Sequence, residues 1–270
     1  YGQPPKFNPD CKVIQVDMDP EEIGRNRDVH VGIVGDTAMV MEQLMEDIDD
    51  KGGLADMTEW WETVREIEDA KWEPMRAQMG SDDQPINPLR LCAEVNEFLD
   101  DDSIVIGDGG DFVATAAYTL KVRGLGSWMD PGPLGTLGVG PGYAMGAKLT
   151  NPDSQVVIMY GDGSFGFNAM EFESMIRQDI KVVGIIGNDA CWRQIKRGQK
   201  DMFGEERCVA TDLDFTRYDK VVEGMGGHGE YVEELEDLHG ALKRAFEADV
   251  PAVVNVKIGR SDFRKGAISV

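Results

Sequence analysis

Acidic and glycine-rich turns follow two apolar runs of this sequence. Gly161-Asp162-Gly163 ends the run 156–160, and Asn188-Asp189 ends the run 182–187. If both runs are parallel strands joined by a helix, their carboxyl ends meet at one sheet edge. A carboxylate beside glycine amides there suits a divalent cation that carries a diphosphate. For the triplet alone, an ordinary turn between buried strands remains the alternative.

Magnesium takes six oxygen ligands, commonly one or two carboxylates completed by phosphate and water. The predicted protein ligands are Asp162, an oxygen from the Asn188-Asp189 pair and the backbone carbonyl of Cys191. The turn 107–111 also follows an apolar run, and its glycine amides are suited to phosphate. A simple strand-to-helix turn explains that spacing equally well.

Residues 132–146 contain too many glycines for an ordinary helix. We predict that the first half exposes backbone to a ligand and that the second half packs tightly on a sheet. The segment is not a phosphate P-loop, because no Gly-Lys-Ser/Thr sequence closes it.

Residues 189–211 form a polar, basic segment in an otherwise acidic chain, and we predict a long loop. Its cations Arg193, Lys196, Arg197 and Lys200 are candidates for binding a substrate carboxylate or coenzyme A phosphates under a closing lid. A solvated helix face is the alternative.

The net charge of −23, from 50 acidic and 27 basic residues, argues against nucleic acid or an anionic membrane as partner. A saline habitat and an ordinary acidic cytosolic protein both fit this charge. No apolar stretch is long enough to span a bilayer. The four cysteines form no Cys-x-x-Cys pair, which favours free thiols and a cytoplasmic location. The three histidines show no zinc-ligand spacing.

Three regions follow from the pattern along the chain. We predict that residues 1–50, with strand-like runs at 11–19 and 29–34 and a helix capped by Asp36 or Thr37, are the end of an α/β domain that begins elsewhere. Residues 51–84 are predicted to be a helical connector whose tryptophans pack on a neighbouring domain. Residues 85–270 form the third region.

This third region alternates strands and helices, which predicts a doubly wound parallel sheet. The expected helices lie at 88–99, after 111, at 169–177, near 213–225 and at 234–248. The expected strands lie at 103–106, 155–160, 181–187 and 252–258.

With these motifs, the sequence resembles the thiamine-diphosphate enzymes of the acetolactate synthase superfamily. Gly161-Asp162-Gly163-Ser164 with Asn188-Asp189 resembles their cofactor signature, and 135–147 and 13–24 resemble their glycine segment and the end of their central domain. The segments 107–113, 187–192 and 258–264 are most similar to the acetolactate-synthase-like 2-hydroxyacyl-CoA lyases. The resemblance covers essentially the whole chain. It implies the thiamine-diphosphate-binding fold, with a diphosphate-binding domain after the tail of a Rossmann-like central domain.

The resemblance also implies roles for individual residues. Asp162, Asp189 and the Cys191 carbonyl would bind Mg²⁺, with Asn188 sharing the contact because an Asp stands where the family usually has the second Asn. Residues expected at the cofactor are Gly110, Asp111, Gly135, Leu137, Gly161, Asp162, Gly163, Ser164 and Asn188. Among these, the Gly135 carbonyl would accept from the aminopyrimidine, and Leu137 would support the bent cofactor.

The implied function is the cofactor-anchoring half of a lyase or carboligase that acts on a 2-hydroxyacyl-CoA or a 2-oxo acid. An acetolactate synthase catalytic subunit is the first alternative, and a non-catalytic diphosphate-binding or dimerisation module is the second. The resemblance implies a homodimer or homotetramer. It places the activating glutamate in a domain outside this chain, so no catalytic residue is nominated here. FAD or ADP binding is left open.

Overall fold

The computed structural model describes residues 8–121 and 123–260, and the chain divides into two compact units, 1–69 and 70–270. The division falls within the long helix α2 (Thr58–Met79). In the first unit, β1 (Ile14–Asp17) and β2 (Val31–Val34) pair in parallel, and α1 (Thr37–Asp50) follows. Asp36 caps α1 by accepting from the Met39 amide.

The first unit leaves much apolar surface exposed. Trp60 and Trp61 of α2 are both more than half exposed. Their packing on a neighbouring domain therefore stays a prediction.

The second unit is built on a six-stranded parallel sheet with strand order β4-β3-β5-β6-β8-β7. The strands are β3 (Ile104–Asp108), β4 (Trp128–Met129), β5 (Val156–Gly161), β6 (Val183–Asn188), β7 (His228–Val232) and β8 (Ala252–Lys257). The helices are α3 (Pro88–Glu97), α4 (Asp111–Thr119), α5 (Gly140–Thr150), α6 (Asp162–Asn168), α7 (Glu171–Arg177), α8 (Arg193–Phe203), α9 (Tyr218–Gly224) and α10 (Leu235–Glu247).

Helices cover both faces of this sheet, so its central strands are apolar on both sides. In β5, Val157 and Met159 pack with α3, α4 and α10, whereas Ile158 and Tyr160 pack with α5, α6, α7 and α9. A continuous apolar run is what a parallel strand between two helical layers requires. The predicted doubly wound α/β fold is confirmed.

Some element predictions need correction. The segment predicted as a long polar loop contains α8, so the structure shows the helix that was the alternative for part of this segment. The helix predicted near 213–225 begins only at Tyr218. The edge strands β4 and β7 were missed, since β4 has two residues and β7 carries polar side chains.

The strand order places a topological switch beside β3. From β3 the chain runs first to the edge strand β4 and then returns to β5 on the opposite side of β3. In open α/β sheets the crevice at the carboxyl ends of such strands is the usual ligand position. We therefore expect a ligand-binding site in the crevice between the ends of β3 and β5.

Candidate functional site

A cavity of about 360 Å³ lies at this switch point. Its walls come from the turns after β3, β5, β6 and β8, from the glycine segment and from the start of α8. Nine of the predicted site residues line it: Gly110, Asp111, Gly135, Leu137, Gly161, Gly163, Ser164, Asp189 and Cys191. Residues far apart in sequence are thus brought together as the parallel topology predicts.

Asp162 lies just behind the wall of this cavity and is 3% exposed. One carboxylate oxygen accepts from the Gly163 amide at 2.9 Å, and the other accepts from the Cys191 amide at 3.2 Å. The second bond joins the ends of β5 and β6 directly. Asp162 therefore belongs to the same cluster as Asp189 and Cys191.

The cluster concentrates negative charge. Burial, followed by repulsion from Asp189, raises the pKa of Asp162 to about 7. Burial also raises the pKa of Asp189, although the nearby Arg193 opposes the shift. Two buried carboxylates that resist ionisation together are stabilised by a bound cation.

Asn188 is placed differently from the prediction that it shares the metal contact. Its amide nitrogen donates to the Thr216 carbonyl at 3.3 Å and to Asn255 Oδ1 at 3.1 Å, and its oxygen accepts from the Ala190 amide at 3.2 Å. The side chain is fully buried and does not line the cavity. Its hydrogen bonds support the turn that carries Asp189. None of them reaches Asp162, Asp189 or Cys191.

The cations of α8 are engaged within the chain. Arg193 pairs with Asp189 at 2.6 Å, Lys196 with Asp212 at 2.5 Å, Arg197 with Asp111 at 2.7 Å and Lys200 with Glu205 at 3.0 Å. Two of the four thus neutralise acids of the cavity wall. Substrate binding by Lys196, Arg197 or Lys200 would therefore compete with an existing ion pair, whereas the Arg193 pair with Asp189 uses only Nε.

Two side chains from the start of α8 lie against the glycines expected at the diphosphate. A methyl group at Gly163 would come within 2.6 Å of the Trp192 ring, and one at Gly110 would come within 2.6 Å of Gln194 Oε1. At Gly163 only glycine allows this approach to the rigid indole ring, whereas at Gly110 a larger residue would displace the flexible Gln194 side chain. Trp192 also contacts Phe167, with ring centroids 5.6 Å apart.

Asp108, at the end of β3, organises the glycine segment, which comprises the glycine-rich residues 132–146. Its carboxylate accepts from the Gly138 amide at 2.8 Å, from the Gly140 amide at 2.7 Å and from the Ser164 hydroxyl. Asp108 is fully buried. It therefore links the β3 end, the glycine segment and α6, and so positions the Gly135–Leu137 backbone at the cavity.

The sequence analysis did not predict that three residues, Asp108, Trp192 and Gln194, help to form this site. Asp108 had a usable signal, since Gly107-Asp108-Gly109 repeats the Gly-Asp-Gly pattern of the second turn. Trp192 and Gln194 had no such signal, because their role depends on where α8 folds back.

The described residues 8–121 and 123–260 also contain one group of His and Glu side chains close enough to share a cation: Glu94, Glu97 and His239. Sequence spacing could not show it, because α3 and α10 contribute separately. Arg90 already pairs with Glu94 at 2.5 Å, which supplies a positive charge there. We therefore assign no metal to this group.

The main cluster fits Mg²⁺ and a diphosphate. Asp162 and Asp189 supply carboxylate oxygens, the ligands that a hard cation prefers. The Cys191 carbonyl, the third predicted ligand, accepts from the Arg193 amide at 2.7 Å and has a second lone pair. Arg193 Nη2 is buried beside this cluster without a hydrogen-bond partner. Such an unpartnered donor at the cavity wall suits an anionic ligand.

Across residues 8–121 and 123–260, none of the helices combines the length and apolarity required to cross a bilayer. The four cysteines form no disulfide.

Comparison with known proteins agrees with this geometry. Residues 108–256 match the family "Thiamine pyrophosphate enzyme, C-terminal TPP binding domain", and residues 1–44 match "Thiamine pyrophosphate enzyme, central domain". Among curated relatives, 2-hydroxyacyl-CoA lyase 2 of Danio rerio is 39% identical over 100% of this chain and 44% of its own length. The human protein of that name is 39% identical, over 96% of this chain and 42% of its own length.

An acetolactate synthase large subunit of Mycobacterium tuberculosis is also 39% identical, over 85% of this chain and 41% of its own length. The chain thus spans less than half the length of each of these relatives. The family match runs from the last residue of β3 into β8 and so includes the glycine-rich residues 132–146 and the acidic turns described above. The chain therefore belongs to the thiamine pyrophosphate (thiamine diphosphate) enzyme family and carries its C-terminal cofactor-binding domain.

Proposed function

We propose that this chain is the cofactor-anchoring part of a Mg²⁺-dependent carbon–carbon lyase or carboligase of the 2-hydroxyacyl-CoA lyase type. The observation that supports this most is the burial of Asp162 and Asp189 together at the cavity, where Asp162 accepts from the Cys191 amide. The relatives named 2-hydroxyacyl-CoA lyase 2 add support for the substrate class.

In this proposal, Asp162, Asp189 and the Cys191 carbonyl hold Mg²⁺. The turns at Gly110 and Gly163 approach the diphosphate closely because they carry no side chain. When bound, thiamine diphosphate supplies an electron sink for cleaving or forming a bond to a carbonyl carbon. The residues of this chain bind and orient the cofactor.

The glycine segment positions the rest of the cofactor. Gly135 has φ of 58° and ends a 3-10 helix (Gly132–Leu134) beside the cavity, where its carbonyl would accept from the aminopyrimidine. Leu137 is half-buried at the same wall and would support the bent cofactor. The activating glutamate is expected from a domain outside this chain.

We further propose a homodimer or homotetramer that assembles through these domains. Large apolar side chains stay exposed on the second unit, including Leu134, which precedes Gly135 of the cavity wall, and Phe167, which contacts Trp192. Exposed apolar patches of this kind mark interaction surfaces. Light scattering of the full-length protein tests the assembly, and a monomer at micromolar concentration would contradict it.

An acetolactate synthase is the second candidate, favoured by the mycobacterial relative. The deciding experiment gives the full-length protein either a 2-hydroxyacyl-CoA or pyruvate, with thiamine diphosphate and Mg²⁺ present. The proposal expects an aldehyde and formyl-CoA from the first substrate. Rapid acetolactate formation from pyruvate, with no cleavage of the acyl-CoA, would replace it with the second candidate.

A non-catalytic module is a different class of function. Calorimetry with thiamine diphosphate and Mg²⁺, on the 270-residue chain and on the full-length protein, separates the cases. Binding without turnover by the full-length protein would favour the module. The visible absorbance of that protein tests for flavin, and thiol titration in cell extract tests the reducing, cytoplasmic location expected for free cysteines.

A further inference from the structure

The turn between the two residues that carry metal ligands is strained. Ala190 lies between Asp189 and Cys191 and has φ of 52°. Residues with a Cβ rarely adopt this left-handed conformation. It persists only where the surrounding structure holds it.

Two hydrogen bonds hold the peptide groups on either side of Ala190. Its carbonyl accepts from the Leu213 amide at 2.8 Å, and its amide donates to Asn188 Oδ1 at 3.2 Å. The first bond belongs to a short antiparallel pairing with the segment after Thr211. The second comes from a side chain and depends on how the Asn188 amide is oriented.

Asn255 supplies the only side-chain acceptor among the described residues for the Asn188 amide nitrogen and so contributes to that orientation. It is a fully buried amide on β8 between Val254 and Val256, and its oxygen accepts from Asn188 Nδ2 at 3.1 Å. The register pairs Ile186 with Asn255, so Asn188 lies diagonally opposite on the same face. The Asn188 nitrogen donates to this acceptor and, at 3.3 Å, to the Thr216 carbonyl. With its nitrogen held in this way, Asn188 presents its oxygen to the Ala190 amide.

Asn255 is itself held from the far side. Its nitrogen donates to the Thr216 carbonyl at 2.9 Å and to Asp219 Oδ1 at 3.4 Å. Asp219 is buried and pairs with Arg217 at 2.7 Å. The polar chain therefore runs continuously from Arg217 at the surface to the strained turn, with every link made.

We propose that Asn255 is a positioning residue: acting through Asn188, it holds the Ala190 turn so that Asp189 and the Cys191 carbonyl face the same cation. This inference rests on the proposed function, since it assigns a supporting role at that same site. Groups that orient metal ligands act on affinity although they never touch the metal.

The test replaces Asn255 by leucine, which is similar in size but makes no hydrogen bond, in the full-length protein. Mn²⁺ serves as the probe, titrated in the presence of thiamine diphosphate and followed by electron paramagnetic resonance. The Kd for Mn²⁺ should rise roughly 10- to 100-fold. If Asn255→Leu does not fold, Asn255→Thr is measured with the same expectation, since a strand tolerates threonine and its shorter side chain cannot reach both partners.

Thr119→Val is the matched control. Thr119 is also buried, and its hydroxyl donates to the Thr115 carbonyl at 2.9 Å, at the end of α4 remote from Asp111. This variant should lower the melting temperature and leave the Kd for Mn²⁺ unchanged. An equal loss of affinity in both variants would reduce Asn255 to a general contributor to stability and overturn the proposal.

A second substitution separates positioning from general stability. Glycine adopts the left-handed conformation at little cost, so Ala190→Gly removes the strain that Asn255 is proposed to hold. Added to Asn255→Leu, it should restore at least part of the Mn²⁺ affinity. No recovery in the double variant would contradict the proposed route through Ala190.

Hydrogen exchange of the metal-free protein supplies a readout independent of the loaded enzyme. The Ala190 amide should exchange faster in Asn255→Leu than in the wild type, while core amides of β5 change little. Unchanged exchange at Ala190 would overturn the inference. If the wild type itself binds neither Mn²⁺ nor thiamine diphosphate, the proposed function fails instead, and the two failures remain distinct.

Discussion

The guanidinium of Arg193 donates to Asp189 Oδ2 at 2.6 Å, so one of the two clustered carboxylates already has a cationic partner within the chain. Within residues 8–121 and 123–260, Asp162 has no such partner and accepts only from backbone amides. The two acids therefore differ in how their charge is balanced before a metal binds. This difference leads to the first two predictions.

Asp162→Asn should change how stability depends on pH in metal-free protein. The folded-state pKa of about 7 lies above the unfolded value near 3.9, so the folded state holds the proton more tightly. The stability from this group is full below about pH 4 and is lost as the pH rises through 7, a loss on the order of 4 kcal/mol. Asp162→Asn should not lose this stability as the pH rises, because an amide does not titrate.

Urea unfolding in EDTA at pH 5 and pH 8 measures the effect. The wild type should lose more stability between the two pH values than Asp162→Asn does. Adding Mg²⁺ with thiamine diphosphate at pH 8 should stabilise only the wild type. Equal pH dependence in the two proteins would contradict the assignment of the raised pKa to Asp162.

Arg193→Gln should destabilise the metal-free protein by roughly 3 kcal/mol, because it leaves the largely buried Asp189 carboxylate without its partner. Saturating Mg²⁺ and thiamine diphosphate should recover most of that loss, since the metal then supplies the charge.

The chain offers a control for this second prediction. Arg177 and Glu173 form an exposed pair of the same chemistry, so Arg177→Gln should cost less than about 0.5 kcal/mol. Thermal denaturation of both variants, with and without the ligands, makes the comparison. A loss at Arg193 that the ligands do not repair would place its role elsewhere than at Asp189.

Trp192 should report cofactor binding by fluorescence. Its ring lies directly against Gly163, where the diphosphate is expected, so a ligand there changes its surroundings. Titration with thiamine diphosphate and Mg²⁺ should change the emission of the wild type, and most of the change should disappear in Trp192→Phe. The control is Trp128→Phe, since Trp128 also lines the cavity. Loss of the signal in the control alone would place the ligand nearer to β4.

Asp108→Asn should lower the free energy of unfolding by on the order of 2–4 kcal/mol. The carboxylate accepts from the Gly138 and Gly140 amides with its two oxygens, and in the variant one of these amides would face an NH₂ group that cannot accept. Ser164→Ala removes one of the same hydrogen bonds and should cost about 1 kcal/mol. Urea unfolding of the two variants checks the ranking. A cost at Asp108 no larger than that at Ser164 would show that Asp108 does not organise the glycine segment.

Much of the site was predictable because it depends on local pattern and on one topological rule. The apolar runs before Asp162 and Asp189 identify two buried strands, and parallel strands deliver their ends to one edge. The helix α8 was not predictable in this way. Three of its cations pair with Asp111, Asp189 and Asp212, which lie outside the helix, so these contacts form only in the folded chain.

By itself, the sequence determined the strands, the acidic glycine turns and the edge of the sheet where they meet, because these follow from hydrophobic periodicity and chain connectivity. Tertiary structure alone decided which side chains support that edge. Asp108 finds its three donors, Trp192 finds Gly163 and Asn255 finds Asn188 only after the sheet and α8 have folded. Such contacts join segments that are distant in sequence, and they depend on burial and hydrogen-bond geometry. Neither property can be predicted from the local pattern of residues.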